Sequence, residues 1–389
     1  MRFAAIVVPL ALLAACSPPT QTEAPAPRVE MSAEARSTME RINSSRFTAT
    51  MSETFTDRAR PEDGAGATLD TAANTQTPAN PAGDAPVAAE PATEVEFDAG
   101  LVRMQVLLDR AHFSPGVIDG YDGSNVRKAV SAYQHANDLP VTGLADDALL
   151  TRLEQADASP AIVAYMITEE DIAGPFVNVP QDLEAMSRLQ QVGYGSAAEA
   201  IAEKFHMDED LLHTLNPGAD FSTAGVEIVV ANAGGELEAA VASIEIDTRE
   251  QAVRAFDASG NLLAYYPATV GSSEAPSPTG EHSVRAVAFD PTYRYDPERL
   301  PTFGERDHGA LTIAAGPNNP VGAVWIALSA DTYGIHGAPF PERVSKSASH
   351  GCVRLTNWDA IELGRAVTAG VPVHFGAGAG LAEAERSRG

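Results

Sequence analysis

Two short runs concentrate the residues that could do covalent chemistry: Tyr333-Gly334-Ile335-His336-Gly337 and Ser347-Ala348-Ser349-His350-Gly351-Cys352-Val353-Arg354-Leu355. A thiol that attacks an amide carbonyl must be delivered as thiolate, so it needs a proton acceptor or a positive charge close by. It needs backbone N–H groups aimed at the developing oxyanion, and glycine permits the tight backbone this requires. It also needs a carbonyl or carboxylate to orient the base. His336 and His350 offer the base, Gly351 and Cys352 the N–H donors, and the backbone around Gly337 the orienting carbonyl. Arg354 adds a cation that can hold a carboxylate or support the loop. A zinc site on His336, His350 and Cys352 would use the same residues, yet no Cys pair or further clustered ligand completes it. His282, His308 and His374 read as structural or exposed.

The chain has 389 residues and only two cysteines, Cys16 and Cys352. Arg2 followed by the apolar run Phe3 to Leu13 is too short to span a bilayer and reads as a signal sequence. Leu13-Ala14-Ala15-Cys16 then fits a lipoprotein cleavage site, with Cys16 as the lipidated residue. Ser17, in a Gram-negative envelope, would send such a lipoprotein on to the outer membrane. With the Cys16 sulfur taken up by lipid, Cys352 is left as a thiol in an oxidising compartment, which suggests a reactive cysteine or an intermolecular disulfide. The charge balance is acidic, 26 Lys+Arg against 53 Asp+Glu for a net charge of −27. Nucleic acid is therefore excluded as a partner, because phosphate binding needs clustered cations.

Such a length fits several domains, and the composition changes several times along it. Residues 17–97 are rich in Pro, Ala, Thr and Glu with few large apolar residues and read as a disordered linker, with room for one short helix near 31–42. Leu101, Met104, Leu107 and Leu108 recur at helical spacing, as do Val126, Ala129, Val130 and Tyr133. A third short helix follows over 146–153, so 98–156 reads as a three-helix module, with Ser124 or Asn125 capping its second helix. Residues 187–232 read as helix, helix, strand. From Ala242 short alternating strands begin, at 243–246, 252–256, 262–270, 283–288, 311–314, 323–328, 334–336 and 371–375, with one helix near 358–368 capped by Thr356 or Asn357. The expected fold class is multi-domain α+β, with a mostly-β sandwich or open barrel at 242–376 and a frayed tail at 377–389.

Three of these segments resemble known families. Gln105-x-x-Leu108, Pro115-Gly116-Val117-Ile118-Asp119-Gly120, Ala129-Val130-x-x-Tyr133-Gln134, Leu139 and Thr142-Gly143 resemble the peptidoglycan-binding domain family, in which a three-helix unit docks on wall polymer; the family's usual Thr is Asn125 here. Ile201 to Phe205, Leu211-Leu212, Leu215-Asn216-Pro217 and Ile228 to Val230 look like a degenerate LysM module, and read equally as an α/β spacer between domains. Ile335-His336-Gly337 and Ser349-His350-Gly351-Cys352-Val353-Arg354-Leu355 are similar to the active-site signature of the L,D-transpeptidase family, with its YkuD-like catalytic domain. Pro278-Thr279-Gly280-Glu281 and Gly316 to Gly322 add to that likeness.

The resemblance implies Cys352 as nucleophile on a peptidoglycan stem peptide, His336 as general base and Gly337 as the residue that orients it. It implies an oxyanion hole from the Gly351 and Cys352 N–H groups, with His350 among the catalytic residues and Arg354, Ser349 and Tyr333 binding substrate. The thioester would be resolved by an amine of a second stem, giving a 3→3 cross-link. Water as acceptor would make the same acyl-enzyme a hydrolase or carboxypeptidase, and a protein amine would make it an attachment enzyme. A non-catalytic wall-binding lipoprotein is the alternative of another class. No metal or organic cofactor is implied. Peptidoglycan and a membrane, through the Cys16 lipid, are the expected partners, and the periplasmic side of the bacterial envelope the expected location.

Overall fold

The computed structural model describes residues 28–47, 97–271, 276–298, 309–346 and 351–376. The expected leader at 1–16 with Cys16, most of the expected linker, Ser349, His350, His308 and the tail 377–389 lie outside the described residues.

Within the stretch expected to be a disordered linker, residues 28–47 are ordered around helix α1 (Ala33–Ser44), which Ser32 caps by accepting from the Ala35 N–H at 3.0 Å. The reason is an apolar face: Met31, Ala35 and Ile42 are buried in a core shared with the following modules. Asn43 fixes the docking, exchanging hydrogen bonds with the backbone of Ile162 at 2.8 and 2.9 Å. Helices α2 (Ala99–Arg110), α3 (Ser124–Ala136) and α4 (Asp147–Ala156) form the three-helix module. Asp98 and Asp146 cap α2 and α4 through their side chains. The expected cap of α3 by Ser124 or Asn125 does not form: Gly123 precedes the helix, and the Asn125 amide is turned to the Val344 carbonyl at 3.2 Å.

Strand β1 (Ile162–Met166) leads through a long excursion and short helix α5 (Leu183–Ser187) to α6 (Ala197–Lys204), α7 (Glu209–Leu215) and β2 (Glu227–Ala231). β1 and β2 pair antiparallel, Ala164 opposite Val229, so the unit expected to begin at 187 takes its first strand from residues 162–166. The 60 residues between the two strands keep that pairing from showing in a local pattern.

The remaining strands are β3 (Ser243–Asp247), β4 (Ala252–Phe256), β5 (Leu262–Pro267), β6 (Gly280–Phe289), β7 (Tyr293–Tyr295), β8 (Leu311–Ile313), β9 (Val324–Leu328), β10 (Gly334–His336), β11 (Val353–Arg354) and β12 (Pro372–Gly376), with α8 (Asn357–Ala366) before the last. Eight of them make one sheet in the order β11-β10-β9-β6-β12-β3-β4-β5, while β7 and β8 form a separate hairpin. The sheet curls until its edges meet. Thr269, just past β5, exchanges two backbone hydrogen bonds of 2.9 Å with Arg354 in β11. A single core accordingly joins Val253 and Ala264 from one edge to Ile335 and Val353 from the other, with α8 supplying Ala360 and Leu363. Closure of this kind removes the exposed strand edge and places β11, with Arg354 on it and Cys352 just ahead of it, at the seam.

Candidate active site

β10 and β11 run parallel, with Ile335 opposite Val353 and His336 opposite Arg354. Paired residues in a ladder share a face, and alternate residues on a strand return to it. Ile335 and Val353 therefore point into the core, where both are fully buried. His336 and Arg354 fall on the other face together, and Cys352 stands directly ahead of Val353 at the head of β11.

His336 is 4 % exposed, and its Nδ1 lies 2.7 Å from the Gly337 carbonyl oxygen. A carbonyl only accepts, so Nδ1 carries the proton and Nε2 holds the lone pair. The Trp325 ring on β9 stacks on the imidazole at 5.4 Å between centroids. Burial, with the Arg354 guanidinium adding to it, pushes the His336 pKa down to about 3, so the ring is neutral at any working pH.

Cys352 is half-buried at the head of β11, with Sγ 3.8 Å from the Thr332 carbonyl oxygen. Burial pushes the thiol up from its ordinary range, while a backbone hydrogen bond from Gly334 and the charge of Arg354 act against that rise. Burial raises the pKa of the Tyr293 hydroxyl on β7, with Cys352 adding to the rise and Arg354 opposing it.

Gly351 has φ +108°, a conformation open to glycine, and a Cβ there would stand 2.6 Å from the Tyr333 ring and 3.2 Å from the Pro276 carbonyl oxygen. Its carbonyl accepts from Ser277 Oγ at 2.7 Å, and that hydroxyl accepts in turn from the Gly271 N–H at 2.9 Å. In a trans peptide the N–H points opposite to the C=O. The Cys352 N–H is thus turned away from Ser277.

The structure brings Tyr333, His336, Gly337, Gly351, Cys352 and Arg354 to one end of the seam; Ser349 and His350 fall outside the described residues. Sequence reasoning missed Thr269, Ser277, Tyr293 and Trp325, none of which stands in a motif. It read Asn357 only as a helix cap. Thr356 does that work, accepting from the Asp359 N–H, and leaves the Asn357 side chain for other bonds.

Residues 242–375 match the family model for the YkuD "L,D-transpeptidase catalytic domain", and residues 98–153 match that for the "Putative peptidoglycan binding domain". "Putative L,D-transpeptidase YkuD" of Bacillus licheniformis is 27% identical over 187 residues, which cover 48% of this chain and 96% of the relative. Its namesake in Bacillus subtilis (strain 168) is 28% identical over 185 residues, covering 47% and 95%. Among solved structures, L,D-transpeptidase 3 from Mycobacterium tuberculosis aligns with a TM-score of 0.29 at 16% identity, covering 39% of this chain and 73% of that one. An L,D-transpeptidase from Mycobacterium smegmatis aligns with a TM-score of 0.29 at 21% identity, covering 40% and 65%. The family matches show a chain that carries an L,D-transpeptidase catalytic domain behind a peptidoglycan-binding domain, and so a protein of the cell envelope.

Proposed function

We propose that the protein is a cysteine L,D-transpeptidase that forms 3→3 cross-links between peptidoglycan stem peptides. The observation that carries this reading is the common face of His336 and Arg354 with Cys352 at the head of the same strand, and His336 Nδ1 tied to the Gly337 carbonyl. In that arrangement Nε2 takes the thiol proton as Sγ attacks the carbonyl of the donor stem at the L-centre of its diamino acid. The carbonyl oxygen becomes an oxyanion that the Gly351 and Cys352 N–H groups receive. As the C–N bond breaks, the imidazolium returns its proton to the departing D-alanine, leaving a thioester on Cys352. An amine of a second stem then attacks the thioester, loses its proton to His336 and releases the thiol. Arg354 and Tyr333 hold the donor peptide, and Ser349 and His350 complete the loop ahead of the nucleophile.

Helices α2 to α4 bring the catalytic domain to its polymer, and the β1-α6-α7-β2 unit, read as LysM-like, gives a second glycan contact. A lipid on Cys16 holds the chain to the membrane on the periplasmic side. The test is to incubate the mature protein with disaccharide-tetrapeptides and follow products by mass spectrometry beside Cys352→Ala. Cross-linked dimers that disappear in the variant are expected. Release of D-alanine with no dimers moves the assignment to hydrolysis, and no Cys352-dependent change in stems or intact wall refutes the enzyme.

A further inference from the structure

Glu203 is a carboxylate that the reaction above does not use. It belongs to α6, outside the catalytic domain, yet both of its oxygens are committed at the junction. Oε2 accepts from the Tyr194 hydroxyl at 2.9 Å, and Oε1 accepts from the Asn357 amide Nδ2 at 2.8 Å.

Asn357 is 2 % exposed and stands at the first position of α8. Its Nδ2 also donates to the Pro317 carbonyl at 3.1 Å, while its Oδ1 accepts from the Ala323 N–H at 2.9 Å. Two acceptors on one side and a donor on the other leave a single amide orientation. That oxygen lies 2.2 Å from where a Cβ on Gly337 would stand, and the same distance from one on Gly322. The Asn357 side chain is thus pressed against the peptide whose carbonyl holds His336 Nδ1 at 2.7 Å.

We propose that Glu203 and Tyr194 are positioning residues for His336, acting from the neighbouring module through Asn357 and the Gly337 backbone. The proposal rests on His336 being the general base. With Glu203 gone, the Asn357 amide keeps only Pro317 on its donor side and loses one of the bonds that hold its plane. The Gly337 peptide then has a looser wall, and a base misplaced by a fraction of its reach loses rate while substrate still binds. The environment of Glu203 fits a group retained for function. Burial, with Glu199 adding, pushes its pKa up to about 7, against the opposing effect of Asn357, Tyr194 and His206. A carboxylate in that situation is costly as a plain structural contact.

The test uses the full chain with Glu203→Ala, Glu203→Gln and Tyr194→Phe, beside His336→Gln. Two readouts are taken: Cys352-dependent D-alanine release from a tetrapeptide stem, and the His336 Nδ1–H resonance in histidine-labelled protein. Glu203→Ala is expected to lower kcat by about tenfold or more with KM little changed, as loss of positioning does. It should also shift or broaden the Nδ1–H signal. Glu203→Gln, whose amide oxygen can still accept from Asn357, should recover most of kcat and the wild-type resonance. Tyr194→Phe, which removes one hydroxyl, should give a smaller loss of the same kind. Wild-type kcat and an unchanged His336 resonance in both Glu203→Ala and Tyr194→Phe overturn the proposal. His336→Gln retaining wild-type kcat instead overturns the assignment of the base, an outcome the Glu203 and Tyr194 variants cannot produce.

Discussion

At rest His336 and Cys352 are both held uncharged, the imidazole because burial and Arg354 push its pKa to about 3 and the thiol because burial raises its own. Proton transfer therefore has to accompany attack rather than precede it, unlike a preformed thiolate–imidazolium pair. Alkylation of Cys352 by iodoacetamide should accordingly climb with pH through a midpoint above the ordinary thiol value and show no plateau in acid. A rate that stays high below pH 6 would mean an ion pair and contradict the burial argument. Gly351 gives a second test at this scale. Its φ of +108° and the 2.6 Å approach of Tyr333 leave no room for a methyl group, so Gly351→Ala should lose about 1–3 kcal/mol on chemical denaturation and most of its turnover. The chemistry of this face was legible because thiol, imidazole, guanidinium and glycines crowd into two short runs. Ser277 and Trp325 were not legible. A serine that ties down a carbonyl and an aromatic that stacks on a ring become functional only through neighbours distant in the chain.

At the scale of elements, the strands that a half-buried pattern announces were the readable ones. β9 alternates buried and partly buried residues along its length, and the continuous apolar run Val324-Trp325-Ile326-Ala327-Leu328 marks it. β11 has two residues, too few for a period to show, and β1 lies far from its partner β2. The strand order was unreadable for a further reason. β12, the last strand, sits in the middle of the sheet between β6 and β3, a pairing set by the closing core rather than by any local turn. Closure itself is what carries the site, since the seam bonds Arg354 to Thr269 while Ser277 holds the Gly351 carbonyl beside it. Ser277→Ala removes two hydrogen bonds of that loop, the one to Gly351 and the one from Gly271. The expected cost is about 1–2 kcal/mol in denaturant unfolding, with a fall in kcat that exceeds any change in KM. A variant that loses stability but keeps wild-type kcat would show that the loop is structural alone.

At the scale of the whole molecule, the modules do not behave as beads on a string. Tyr265 of β5 is buried in the core of the three-helix module, and its backbone bonds His112 and Ser114 across the boundary. Periodicity in the sequence tells which face of an element is covered but not what covers it, which is why this sharing was invisible there. Titrating groups collect at the same junction. His112 Nδ1 lies 3.0 Å from Glu362 of α8, and that bond raises its pKa. His206 is half-buried, which opposes its charge, but Asp109 at 2.9 Å outweighs that and leaves its pKa raised. Each histidine binds a proton more tightly in the folded chain, so its stabilisation is complete below an ordinary value of about 6.5 and is lost as pH rises through the folded value. Glu203, raised from 4.5 to about 7, has the same sign, because the native state keeps a proton that the unfolded chain has released. His336 has the opposite sign: the stability it adds grows as an unfolded histidine gives up its proton around pH 6.5, and is complete about one pH unit above that. Above that pH the remaining signs agree, and calorimetry on the full chain should show Tm falling from about pH 7.5 to about pH 9. His112→Gln combined with His206→Gln should flatten the slope over the same range. A Tm that holds level or rises there in the wild-type protein would mean that the junction does not take up protons on assembly.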